Sequence, residues 1–144
     1  MTLAEFTLAI ATALAPERDN SELTNAVAET VEARGCLYRG DDCERRTAAV
    51  MITWAWFESG LRIDAHGKNH DEGAWQHVTT NADEAKRLRS DVRYAASVAW
   101  DDMRASLTAC GDLSAYARGN CTAGRAIVAR RMPKVSWAFR KAAH

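Results

Sequence analysis

The segment Glu44–Glu58, ERRTAAVMITWAWFE, constrains this chain more than any other. From Ala48 onward it is apolar on every side of a helix, so it has no face for water and belongs at the centre of a domain. A helix that must be surrounded needs partners, and the rest of the chain supplies them. Leu3, Phe6, Ile10 and Leu14 form one helical stripe, and Leu23, Val27 and Val31 form a second over Ser21–Arg34, with Gly35 as its stop. Asn81-Ala-Asp-Glu84 is an Asx version of a capping box that opens a fourth helix. Val92, Ala95, Ala99, Met103 and Leu107 keep register through a fifth, Asp91–Ala109, and two more are expected after Cys121, split by Pro133. Ser59-Gly60 ends the central helix. Residues 59–80 are polar and aperiodic, which predicts a long loop or a small hairpin of the kind that usually carries function. The expectation is a mainly α, single domain over residues 1–144 with at least six helices.

A chain of 144 residues fits one domain and can bury about two thirds of its unfolded surface. With 47% hydrophobic and 26% charged residues it has the composition of a globular protein, and no stretch approaches the roughly 20 apolar residues of a membrane span. The apolar run at residues 6–15 ends in Ala13-Leu14-Ala15, which imitates a signal-peptidase site. No Lys or Arg precedes it, Glu5 interrupts it and Pro16 follows, so it is read as the first helix of the domain. Net charge is zero but unevenly spread: after residue 121 come Arg125, Arg130, Arg131, Lys134, Arg140 and Lys141, and no acid. Such an end is either a solvated helical face or a patch that steers the protein toward a polyanion such as nucleic acid, teichoic acid or an anionic cell wall.

The cysteines fall in two tight pairs, Cys36/Cys43 and Cys110/Cys121. Four cysteines allow three pairings, and sequence alone does not choose among them. The clustering in two short loops favours two local disulfides, which would place the protein in an oxidising, extracytoplasmic setting: secreted, periplasmic or phage-associated. Neither pair has the spacing of a zinc site.

Glu58 stands at the C-terminal end of the most apolar helix in the chain. A carboxylate is costly to bury unpaired, and a helix C-terminus disfavours negative charge. Both effects favour the protonated form, which is what a general acid needs. Trp54, one turn earlier, is placed to wall it from water. The plain alternative is a hydrated Glu where the helix surfaces.

The spacing around Glu58 resembles that of the lysozyme-like superfamily, specifically the soluble lytic transglycosylase and goose-type lysozyme group. Those proteins carry Glu-Ser at the end of a core helix, then an apolar residue, an Ala and a Gly-x-x-Gln. This chain has Glu58, Ser59, Leu61, Ala65, Gly73 and Gln76 in that register without a gap. The group's Ala-Tyr-Asn-Ala-Gly resembles Ala115-Tyr116-Ala117-Arg118-Gly119, so the likeness covers roughly residues 45–130. It departs at Ile63 (usually Pro), His70-Asp71 (usually Gly-Ala), Ala74-Trp75 (usually Leu-Met) and Ala117 (usually Asn), positions that bear on glycan contacts rather than on the acid.

The resemblance implies a lysozyme-like helical fold that cuts peptidoglycan glycan strands at the MurNAc–GlcNAc β-1,4 bond, with Glu58 as catalytic acid. Ser59, Gly73, Gln76 and Tyr116 would bind substrate or orient Glu58. Trp75, a departure from the group's pattern, carries on its own chemistry a flat apolar ring suited to stacking on a sugar face. A lytic transglycosylase needs one Glu, which donates a proton and then takes one from the muramic acid C6 hydroxyl to close a 1,6-anhydro ring. A hydrolytic muramidase needs a second carboxylate; Asp64, Asp71 and Glu72 lie in the right loop. The single-acid route is the first expectation.

Two rivals come from other classes. His66, His70 and His77 cluster with Asp71 and Glu72, but Gly67 and Asn69 make a poor helix and the spacing is not His-Glu-x-x-His, so no metal or other cofactor is expected. A disulfide-stapled, non-catalytic binding module is the other, against which Glu58 argues, since a binder has no use for a carboxylate in an apolar wall. Nucleic-acid binding through the basic end has no motif behind it. The expected partner is the peptidoglycan strand, met by a monomer without a transmembrane segment.

Overall fold

In the computed structural model, which describes residues 1–144, the central element is α3 (Cys43–Ser59). Every residue from Thr47 to Ala55 is buried, as an all-round apolar helix requires. It is packed by α1 (Leu3–Leu14), α2 (Ser21–Arg34) and α7 (Cys121–Ala143). Phe6 of α1 meets Phe139 of α7 edge to face at 5.2 Å. Trp54, Ile52, Met51, Ile10 and Leu23 are among the largest fully buried side chains. Each contributes on the order of 1.5–3 kcal/mol by leaving water, which is how a chain without a large sheet holds together.

The outer elements are α4 (Ala82–Ser90), α5 (Val92–Cys110) and the short α6 (Ser114–Arg118), with a two-stranded hairpin ahead of them. β1 (Asp71–Glu72) and β2 (His77–Val78) pair antiparallel, Asp71 opposite Val78 and Glu72 opposite His77. The aperiodic stretch after α3 is therefore a small hairpin. α5 packs on α2 and α6, and α6 on α7.

The N-terminal apolar run forms α1, opened by a reciprocal cap: Thr2 Oγ1 accepts from the Glu5 amide at 3.1 Å and the Glu5 carboxylate accepts from the Thr2 amide at 2.6 Å. Asn81 caps α4 by accepting from the Glu84 amide at 2.9 Å, but the box is only half made. The Glu84 carboxylate turns instead toward the Tyr94 hydroxyl, 3.1 Å away, and His77. No helix is long and apolar enough to cross a membrane.

One expectation fails. The chain after Cys121 is not two helices split by Pro133 but one, with Pro133 inside it. Proline removes the amide that would bond to the carbonyl four residues back. Here both Pro133 and Ala129 are exposed, so water can take the freed carbonyl, while Val135, Ala138 and Ala142 are buried and anchor the distal half.

Both local disulfides are formed, Cys36–Cys43 and Cys110–Cys121, with Cα separations of 5.6 and 5.5 Å. The first closes the turn into α3 and the second brackets α6. Each short loop is expected to contribute about 2–3 kcal/mol by restricting the unfolded chain. Urea unfolding with and without dithiothreitol measures this; a midpoint indifferent to reductant would contradict it.

Candidate active site

Glu58 is the penultimate residue of α3, and its side chain is 28% exposed at the mouth of a cleft of about 540 Å³. The cleft is walled by α3, the hairpin, α5 and α6. Trp75, Gln76, His77, Asp102 and Tyr116 line it with Glu58. Glu58 is not unpaired: Arg131 of α7 donates to its Oε1 at 2.5 Å. The same guanidinium lies 5.4 Å from the Trp54 ring centre and 4.9 Å from that of Phe57. Its flat cation thus covers the aromatic end of α3 while holding one carboxylate oxygen. Oε2 makes no hydrogen bond within the protein.

The segment from Ser59 to Gln76 is bolted to α3. Ser59 Oγ reaches the Ala74 carbonyl at 2.7 Å and the Ala55 carbonyl at 3.0 Å, and accepts from the Arg62 amide. Trp75 is buried, and its indole donates to the Met51 carbonyl at 2.8 Å. Gly73 adopts φ +78°, and a Cβ there would sit 2.6 Å from the Leu88 carbonyl oxygen, so only glycine fits. Neither Ser59 nor Gly73 lines the cleft; both hold the loop against the helix that carries Glu58. Trp75 shows the cleft part of a ring whose polar edge is already engaged in the core.

Gln76 does face the cleft, from a left-handed backbone (φ +53°). That conformation costs a non-glycine residue about 1–3 kcal/mol and persists only where its surroundings enforce it. Here the amide nitrogen of its side chain donates to the Gly73 carbonyl at 2.9 Å. Gly67 leaves the room, because a Cβ on it would lie 2.5 Å from Gln76 Oε1 and 2.8 Å from Asp71 Cβ.

Tyr116, on α6, lines the same cleft, and its hydroxyl is buried with no hydrogen-bond partner. Burial first, then the nearby charges of Glu58 and Asp102, raise its pKa far above the ordinary phenol. It stays a neutral phenol, and a buried hydroxyl without a partner is a cost to the fold. Ser106 of α5 positions it by accepting from the Tyr116 amide at 3.1 Å.

The three loop carboxylates part company. Asp71 lines the cleft, with no side-chain hydrogen bond of its own; Asp64 is exposed and outside it. Glu72 is buried in an ion-paired cluster, accepting from Arg89 at 2.6 Å with His66 Nδ1 at 2.8 Å. Burial pushes its carboxyl up, but His66 and Arg89 outweigh that and hold it below the ordinary 4.5. A group depressed in the folded state adds stability above its unfolded value that is lost as pH falls through the folded one. The protein is thus expected to lose stability below about pH 4.5, with Glu72→Gln weaker at neutral pH and flatter in acid. Thermal melts of both proteins from neutral to acid pH measure this; parallel curves would contradict it.

Three cleft-side groups escaped the sequence reading: Arg131, Asp102 and the role of His77. His77 Nδ1 lies 2.9 Å from Asp102 Oδ2, and Nε2 lies 3.6 Å from Glu84 Oε1. The Asp102 hydrogen bond, against partial burial, holds His77 above its ordinary 6.5. His66, His70 and His77 do not converge: the first pairs with Glu72, the second is exposed and the third is engaged by Asp102. Comparison of the chain with protein-family models, curated proteins and solved structures gives no match.

Proposed function

We propose that this chain cuts the glycan strands of peptidoglycan at the β-1,4 bond between N-acetylmuramic acid and N-acetylglucosamine, on a lysozyme-like fold, with Glu58 as the acid. The observation that supports it is the meeting of Glu58, Gln76 and Tyr116, from separate parts of the chain, in one cleft. Cleavage needs a proton on the leaving oxygen and relief for an oxocarbenium-like carbon. Glu58 Oε2 would deliver the proton, Arg131 would stabilise the carboxylate left behind, and Tyr116 would wall the site. The two disulfides fit work outside the cytosol, and the basic, acid-free composition of α7 fits attraction to anionic wall polymers.

By resemblance, the first reading is a transglycosylase in which Glu58 alone gives and takes the proton. The second is hydrolysis, favoured by Asp71 and Asp102 in the cleft. Clearing of a purified peptidoglycan suspension by the wild type, and its failure with Glu58→Gln, tests the cleavage both readings share.

A further inference from the structure

Asp102 is the carboxylate in the cleft with a built-in orienting partner. It sits on α5, away from the loop that carries Asp64, Asp71 and Glu72. Its Oδ2 is held by His77 Nδ1 at 2.9 Å, and no protein group bonds its Oδ1. His77 is fixed in turn, on β2 by the hairpin and at its far nitrogen by Glu84, 3.6 Å away. Such a chain points one free carboxylate oxygen without occupying it, as a general base requires. Asp102, Glu58 and Tyr116 all line this one cleft. Asp71, by contrast, has no side-chain partner to aim it, and Glu72 is consumed by His66 and Arg89.

We infer that Asp102, oriented by His77, is the base that activates water, which makes the reaction of this cleft a hydrolysis. The inference rests on glycan cleavage with Glu58 as the acid. Asp102 takes a proton from water as the water oxygen bonds to the anomeric carbon. The bond from that carbon to the bridging oxygen breaks, and the bridging oxygen takes the proton of Glu58. Water has then been added across the bond, Asp102 is protonated, Glu58 is a carboxylate, and exchange with solvent restores both. Asp102 is the catalytic residue here and His77 a positioning one.

The test is digestion of purified peptidoglycan in ¹⁸O-water followed by mass spectrometry of the fragments. Reducing-ended fragments carrying one ¹⁸O at the new end are expected from the wild type. Anhydro-ended fragments would overturn the role of Asp102 while leaving the cleavage reading standing, and no fragments at all would remove both. Asp102→Asn should cut the rate about 10²-fold or more, and Asp71→Asn only a few-fold. Asp102→Gly should recover turnover in added azide and yield a glycosyl azide, a rescue that repair of a merely structural defect does not produce. His77→Gln should lower kcat with KM little changed. Asp102→Asn with near wild-type rate, or azide rescue of Asp71→Gly in place of Asp102→Gly, would overturn the assignment.

Discussion

Glu58→Gln is expected to slow peptidoglycan cleavage by about 10²–10⁴-fold, the range set by loss of a positioned general acid. The substitution is nearly isosteric and separates the proton from everything else the side chain does. A glutamine oxygen can still accept from Arg131, so the guanidinium keeps its seat over Trp54 and Phe57. What the amide cannot do is give a proton to a leaving oxygen. The glutamine thus keeps the contact that holds Arg131 and gives up only its charge. The melting temperature should therefore stay within a few degrees of the wild type. Glu58→Ala should be as inactive and less stable, because it also strands the Arg131 cation. Turbidity clearing gives the rate and calorimetry the stability; near-normal clearing by Glu58→Gln would end the glycosidase proposal.

How much of this was legible before the fold was in view depends on how local each signal is. The burial of α3 is written in ten successive residues, because no helix apolar on all sides can lie at a surface. The clustering of the cysteines in two short loops favoured the local pairings that form, and the loss of period after Ser59 marked a long loop or a small hairpin without choosing between them. Glu58 was legible because it breaks an apolar run at a helix end.

The groups that surround Glu58 were not. Arg131 is one cation among six on a basic helix, and nothing local marks the one that folds back onto a residue 73 positions earlier. Asp102 is an ordinary acid on the polar side of α5 until His77, 25 positions away, arrives beside it. Ser59 and Gly73 illustrate a different limit. A spacing pattern records residues needed near the acid without saying whether they touch a ligand or hold the loop, and here the hydrogen bonds of Ser59 and the backbone of Gly73 hold the loop. Pro133 shows a local rule overruled, since a proline on a solvent-facing turn need not end a helix whose far half is anchored in the core.

Gly124→Ala is expected to be the most damaging single-methyl change in the chain. On an isolated helix this substitution would gain about 0.5–1 kcal/mol. In this fold the added Cβ would lie 1.8 Å from the Ser114 carbonyl oxygen, with the carbonyl carbon and Cα of Ser114 at 2.4 and 2.6 Å. All three are backbone atoms, so no rotamer change can clear them and α6 must move bodily away from α7. It has little freedom to do so, because the Cys110–Cys121 bridge ties both its flanks. Overpacking of this kind costs about 1–3 kcal/mol and sometimes more, enough to reverse the helix gain. A fall of several degrees in melting temperature should follow. Activity should fall as well, because α6 carries Tyr116, and any retreat takes the buried hydroxyl away from Glu58. Calorimetry and the clearing assay on Gly124→Ala read the two effects together, and a protein that melts no lower than the wild type would show that α6 and α7 are not packed backbone to backbone.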